Sequence, residues 1–452
     1  MHMRSTVVCA SAIFVTVSIL SAAESNARTG LVISDSVGST YDEWSEKEEK
    51  GKTGKFAGVH YYWKDGLHID SRNKIIRIKA GGKLAIDGGD INANDDLETA
   101  FPDLEGRDIR LRKIELDVSG SLHNRVKFQF QLDLGNPSEI KDNWVDIGKI
   151  PMIGHIRLGH MKEPFSLEEL TGFSDKTFME KSSPTEAFAP GRNLGVMLHD
   201  TVAHKRMTWA VGGFWQTGSF NDLENPEDRI ESATGFNVTT RVTALPRWSE
   251  DGGKLLHLGA SFTHQLRERV KDDSTVQFRA RPESHLTSDR LVDTGELSAD
   301  YVNMINPEFA MSFGSFSLQG ESFHAFVDAD AGGVGKFWGF YLYGSYFITG
   351  EHRSYNRSGG VFSEITPVHD FSLAGGGWGA WELGFRYSYI DLNDGKIRGG
   401  KENNFSVGVN GYLNPNARIM FNYIHVNVED RVSPAIDDGR ANILQARFQI
   451  AF

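Results

Sequence analysis

Basic residues recur at alternate positions where the chain first becomes regular. Between Arg72 and Lys83 lie five basic residues and no acidic one. Arg77, Lys79 and Lys83 share one parity with Gly81, while Ile76, Ile78 and Ala80 take the other. That is the period-two signature of a strand with one charged and one apolar face. Arg125 and Lys127 repeat it with Gln129, Gln131 and Asp133, against Val126, Phe128, Phe130, Leu132 and Leu134. A row of fixed cations breaks no bonds; its chemistry is the attraction of anions. The residues of catalysis are missing by contrast: the chain has no G-x-S-x-G, no H-E-x-x-H, no phosphate-binding loop and no dinucleotide fingerprint after a strand. Its 15 His residues are scattered without metal-ligand spacing. Catalytic residues, metals and cofactors are therefore not expected.

Charged faces need water. Inside a soluble core, inward Lys, Arg, Gln and Asp would carry a heavy desolvation cost, whereas around an aqueous lumen they are at home. The composition suits short-turned β-structure: 48 Gly and 29 Phe, 12 Tyr and 9 Trp, with 39% hydrophobic residues in 452. The alternation predicts strands near 72–83, 107–119 (with a bulge near Arg112 or Lys113), 126–134, 142–150, 154–162, 193–200, 206–218, 233–244 and 254–266. It continues near 296–312, 314–328, 335–350, 376–391, 400–413, 416–429 and 440–452. The acidic run from Asp87 to Asp108 reads as a loop. Sixteen strands, an even count, with short turns alternating with longer polar loops, predict an all-β, 16-stranded antiparallel transmembrane β-barrel at 72–452. A soluble β-sandwich would also alternate, but it has no use for a charged face along every strand.

One stretch breaks the pattern. From His160 to Met197 the alternation stops: Pro164, Pro184 and Pro190 cannot donate to a ladder, and Ser166 before Leu-Glu-Glu-Leu reads as a capped short helix. With Phe165, Phe173, Phe178 and Phe188 it carries apolar mass ill suited to solvent. It is predicted to fold inward as a constriction loop over 163–192, the third outer loop.

The ends and the charge narrow the class further. Arg4, the apolar run Val7 to Leu20 and the small residues before Ser25-Asn26-Ala27 predict a signal peptide at 1–27, followed by a polar segment over 28–71. Cys9, the single cysteine, falls inside that signal, which leaves no disulfide or Cys-ligated metal to expect. No later run of 18 apolar residues offers a membrane-spanning helix. A net charge of −12 argues against nucleic acid as a partner.

Several motifs then resemble one family. Lys162-Glu-Pro-Phe-Ser-Leu-Glu-Glu-Leu170 with Phe188-Ala-Pro-Gly-Arg-Asn-Leu-Gly195 is similar to the third-loop region of the phosphate-selective porin O and P family. So are Gly379-Ala-Trp-Glu-Leu-Gly-Phe-Arg-Tyr-Ser-Tyr389, Tyr412-Leu-Asn-Pro-Asn416 and Arg418-Ile-Met-Phe-Asn-Tyr423. The resemblance implies a trimeric porin of the outer membrane of a Gram-negative bacterium, in contact with lipid and lipopolysaccharide and passing small inorganic anions, phosphate or polyphosphate. It implies lumen cations at Lys64, Lys74, Lys79 and Lys83. The family's paired arginines fall on Arg112-Lys113, where a planar fork becomes a point charge. Arg77, Arg110, Arg125, Lys127 and Arg192 join the expected anion pathway. The connection Gly350 to Phe371 is too long for a periplasmic turn and resembles the family's lumen-entering turn, which puts Arg353 and Arg357 before permeating ions. Because Glu163, Glu168, Glu169, Asp175, Glu180 and Glu186 outnumber the basic residues of the loop itself, the wall rather than the loop is expected to set the sign of selection. A general, low-selectivity porin and an outer-membrane barrel hydrolase are the competing functions.

Overall fold

The computed structural model describes residues 54–56, 59–135, 138–217, 235–267, 275–328 and 334–452. The expected signal peptide at 1–27 and the polar segment up to residue 53 lie outside the described residues. The barrel strands are β1 (Ile76–Ala93), β2 (Gly106–Leu122), β3 (Val126–Asp133), β4 (Glu139–Ile150), β5 (Gly154–Lys162), β6 (Arg192–Val202), β7 (Met207–Trp215) and β8 (Gly235–Trp248). The second half holds β9 (Lys254–Arg267), β10 (Tyr301–Phe313), β11 (Phe316–Asp328), β12 (Val334–Phe347), β13 (Ala380–Asp394), β14 (Ile397–Asn414), β15 (Ala417–Val432) and β16 (Gly439–Ala451). Each pairs antiparallel with its neighbour in sequence, and β16 returns to β1 with Ala441 opposite Ala93 and Ala451 opposite Lys83. Closure leaves no barrel strand with an open edge, the condition for crossing lipid with strands. Among the described residues, no helix is long and apolar enough to cross a membrane.

The alternation reads out as two surfaces. On β9, Leu258, Phe262 and Leu266 are exposed outward while His257, Ser261, Thr263 and Gln265 are buried inward. Phe313, Phe316 and Tyr346 are exposed at the short-turn end, and Phe326 and Trp338 toward the other, where Trp338 stands 5.1 Å from Tyr389. Aromatic rings at both margins of an apolar band mark the two lipid–water interfaces.

Two boundaries differ from those read in the sequence. The run from Asp87 is not yet loop: β1 continues to Ala93, and only 94–105, with the helix α1 (Asp95–Ala100), separates it from β2. Asp87 points into the lumen and accepts from Arg447 Nε and Nη2 at 2.6 and 2.7 Å, so its charge is a lumen charge rather than a loop signal. The sheet also starts before residue 72. Val59–Trp63 and Leu67–Ser71 form a hairpin that pairs Leu67 with Ala80 and Asp70 with Arg77 on β1. β16 covers β1 only from Lys83 onward, and the hairpin takes the part of the edge left over.

The third loop folds inward as the prolines predicted. It contains α2 (Leu167–Leu170), whose N-cap Ser166 accepts from Glu169 N–H at 3.2 Å, and α3 (Ser183–Phe188) with Pro184 in its first turn. Phe165, Leu167, Phe178, Met179 and Phe188 are all buried, and Met179 N–H reaches Asn422 on β15 across the barrel at 2.8 Å. The sequence reading missed a second entrant. Residues 275–299, between β9 and β10, also lie inside, with Phe278 5.3 Å from Phe188 and Arg281 2.7 Å from Glu186. From the opposite end comes the long β12–β13 connection, whose small hairpin of Tyr355–Asn356 and Val361–Phe362 packs against the wall. Tyr355 bonds His257 at 2.6 Å, and Arg241 Nη2 donates to Gly360 O at 2.7 Å.

Candidate anion pathway

These three entrants leave a cavity of about 540 Å³ beside β1 to β8. Two β-bulges determine what faces it. Ala85 pairs with Lys113 and Ile86 with Leu111, so Arg112 is the extra residue, the bulge expected from the parity shift. On β4, Phe130 pairs with Asn143 and Leu132 with Ile140, leaving Lys141 and Asp142 opposite Gln131. In a regular strand, adjacent residues face opposite sides; a bulge re-aims one of them. Consequently Arg112 and Lys113, and likewise Lys141 and Asp142, all line the cavity. Each irregularity thus turns two consecutive charged residues toward the same cavity.

The lining carries ten Lys and Arg side chains against six carboxylates. Of the predicted pathway, Lys83, Arg112, Lys113 and Arg192 belong to it. The others are elsewhere. Lys64, Lys74 and Arg125 are exposed in turns, and Arg77, Lys79 and Lys127 are partly buried on the wall outside the cavity lining. Arg110 is engaged by Asp108 and by Leu286 O at 2.6 Å. Arg357 rests 5.2 Å above the Trp248 ring. Arg353 corrects an expectation: it is 3% exposed, covers the Phe362 ring at 4.1 Å and donates to Thr177 and Tyr343, each at 2.7 Å. It fastens the long turn to the third loop instead of facing ions.

The sequence reading also left out Lys141, Arg157, Lys162, Lys176, Lys181 and Arg241, all of which line the cavity. Arg157 sits on the inward parity of β5 and was legible there. Lys141 owes its direction to the bulge, which carries no sequence mark.

Ion pairing disciplines these charges. Lys83 and Lys113 hold Glu115 at 2.6 and 2.7 Å, Arg112 forks Glu180 through Nε at 2.7 Å and Nη2 at 2.9 Å, and Arg192 binds Asp142. Within the third loop, burial would raise the Glu180 carboxyl, but Arg112, His285 and Arg447 outweigh it and hold it well below the ordinary range. Glu169 behaves alike: burial raises it and Lys181, Lys162 and Lys176 together bring it down. The loop's other carboxylates turn away from the cavity. Glu163 accepts from Asn193 and Asn237 at 2.7 and 2.6 Å, and Glu168 from Ser182 Oγ at 2.7 Å. Glu186 is taken by Arg281 and Arg290. The loop is acidic in composition yet presents charge in balance to the cavity, Lys176 and Lys181 beside Glu169 and Glu180.

Glu364 lies in the long turn near Lys79 and Lys83. Its enclosure by the surrounding protein, reinforced by the carboxylates of Asp175 and Asp65, pushes it up to about 7. A carboxyl raised in this way is neutral below that value and negative above it. Chloride preference over a small cation is therefore expected to be weaker at roughly pH 8.5 than at roughly pH 5.5, both measured against the ordinary carboxyl range. In Glu364→Gln the difference shrinks; an unchanged pH profile of the zero-current potential would remove Glu364 from the pathway.

A closed barrel with a polar, charge-lined lumen and apolar outer wall is a water-filled membrane channel. The family model of phosphate-selective porin O and P matches residues 78–452, and the chain belongs to that family, placing it as a porin of the Gram-negative outer membrane. An uncharacterized protein of Caulobacter vibrioides is 29% identical over 397 residues, covering 86% of this chain and 76% of that one. Porin O of Pseudomonas aeruginosa is 23% identical over 433 residues, covering 86% and 91%. Among solved structures, the anion-selective porin from Comamonas acidovorans superposes with a TM-score of 0.50 at 14% identity, over 83% of this chain and 100% of that one. Salmonella typhi OmpF, in complex with daunomycin, gives 0.50 at 12% identity over 86% and 100%. At these identities the likeness is one of fold.

Proposed function

We propose that the channel admits small inorganic anions by passive diffusion, phosphate or polyphosphate foremost, as a homotrimer embedded in lipid and lipopolysaccharide. The observation that carries this reading is the surplus of lumen cations: ten against six at the narrowed cavity of a chain whose overall charge is −12. A positive constriction lowers the barrier for anions and raises it for cations, and several weak contacts let an ion leave as readily as it enters. Membership of a family named for phosphate selectivity, and the fold shared with an anion-selective porin, support the same direction.

A general porin of low selectivity is the second reading, and pairing favours it. Lys83, Arg112, Lys113 and Arg192 each have a carboxylate within 2.7 Å. Lys113 moreover offers a point charge where two adjacent forks would grip phosphate bidentately. Planar-bilayer recording of the purified protein separates the two. The anion reading expects a zero-current potential on the chloride side of a salt gradient and a chloride conductance that falls when phosphate is added. A cation-side potential would sink it; a chloride-side potential without phosphate inhibition would leave a non-specific anion channel.

A further inference from the structure

Asp146, His155 and His199 form a cluster that anion passage does not require. They stand on three adjacent strands, β4, β5 and β6, with His155 directly opposite His199 in the ladder. Asp146 is 1% exposed, and its two carboxylate oxygens are shared out: Oδ1 lies 2.7 Å from His155 Nδ1 and Oδ2 lies 2.7 Å from His199 Nε2. The imidazoles stack at 5.0 Å with 23° between their planes. One ligand atom from each of the three side chains falls within 4.8 Å of the others. We propose that this cluster is a binding site for a borderline divalent transition-metal ion, of the Zn²⁺ and Cu²⁺ class, on the lumen wall.

The donor set selects the class. Two imidazole nitrogens and one carboxylate suit zinc, copper and nickel, whereas magnesium and calcium want oxygen ligands alone. Three protein ligands leave further positions to water, and the imidazoles have an open side, about one-fifth exposed, with His199 on the cavity surface. The ligands are already gathered, because neighbouring strands hold them in register and little ordering remains to be done on binding. Gly148 seats one of them: a Cβ there would lie 2.6 Å from His155 Cε1, so only glycine leaves room for the ring in this position. Arg157 Nε donates at 3.0 Å to Asp146 Oδ2, the oxygen that also meets His199, and so fixes the carboxylate's orientation, as outer partners of metal ligands do. Its charge, with that of Lys127 opposite Asp146 across the ladder, opposes the ion. That opposition makes binding weaker than the three ligands alone would give.

Titration calorimetry of the full detergent-solubilised channel with Zn²⁺ alone, at neutral pH, tests the site. One ion per chain with micromolar affinity is expected, and no saturable heat with Mg²⁺. His155→Gln with His199→Gln weakens Zn²⁺ by about 100-fold or more, beyond what loss of an outer partner does. Co²⁺ added to the unaltered channel supplies a readout that needs no variant: visible absorption from an imidazole-ligated ion, abolished by excess Zn²⁺. Failure to saturate below millimolar Zn²⁺, or equal binding by the double variant, overturns the proposal. Neither measurement depends on ion selectivity, so an error in the anion reading would not disguise an error here.

Discussion

Replacing Lys141 by glutamate and Lys113 by methionine is expected to remove most of the channel's discrimination between chloride and a small cation. The cavity lining has four more cations than carboxylates, and the two changes subtract three of those charges. At an effective dielectric of about 20 and a separation of about 8 Å, one charge shifts an ion's energy by roughly 2 kcal/mol. Anion and cation barriers move in opposite senses, so the permeability ratio should fall by well over an order of magnitude. Both substitutions leave the barrel's backbone ladder untouched. Lys141→Glu gives up the pairing with Glu139, but Arg192 and Arg112 stay close by to face the new carboxylate. Removing the Lys113 charge leaves Glu115 with Lys83 at 2.6 Å and Asp133 accepting from Gly135 N–H at 3.1 Å. Reversal potentials in a salt gradient read the outcome directly. A double variant as anion-preferring as the parent would mean that the narrow cavity does not set the sign, and that the exposed cations at the turns do.

Much of this architecture was legible because lipid and water sit on opposite sides of every strand. That forces a two-residue period, and it predicted sixteen strands in the right order. Pro164, Pro184 and Pro190 identified the third loop, since an amide without N–H cannot belong to the ladder. Residues 275–299 gave no such signal. Their entry is a tertiary event, settled by Phe278 meeting Phe188 and by Arg281 meeting Glu186, groups 90 residues or more apart in the chain. The charge balance of the pathway was half legible. Parity placed Lys83 inward, but no pattern says which carboxylates are turned to the wall. Glu163 and Glu168 are consumed in buried bonds and Glu186 in half-buried ion pairs, so the loop's acidic surplus does not reach the cavity, where its Lys176 and Lys181 are matched by Glu169 and Glu180. The surplus of cations at the cavity comes from the wall strands. The motif from Gly379 to Tyr389 fared better than its reading: Glu382 and Arg386 are among the wall groups to which the inner loops are tied.

Arg386→Met should widen the channel without opening the barrel. Arg386 is 1% exposed and donates to Glu283 Oε2 through Nε at 3.0 Å and Nη2 at 2.5 Å. Its Nη1 reaches Glu168 at 3.3 Å and Glu180 O at 3.0 Å, and the guanidinium lies 4.4 Å from the centre of the Phe178 ring. One side chain on β13 thus holds the third loop through Glu168, Glu180 and Phe178, and the 275–299 segment through Glu283. Met fills similar volume but leaves two buried carboxylates without their cation, a loss of about 3–5 kcal/mol. The barrel's backbone ladder contributes nothing to these bonds, so the cost falls on the loops. They are expected to leave the wall for part of the time, raising single-channel conductance by about twofold or more, adding open-channel noise and weakening anion preference. Adding Glu283→Gln tests the cause. With the strongest unpaired charge gone, Ser388 and Ser406, now 2.6 and 2.7 Å from Glu283, can still bond the amide, and conductance should return most of the way to its original value. Heat-resistant migration of the folded barrel should be unchanged in both variants. If Arg386→Met conducts as the parent does, the loops are held by their apolar packing around Phe165, Phe178 and Phe188, and the buried ion pairs are not what keeps the pore narrow.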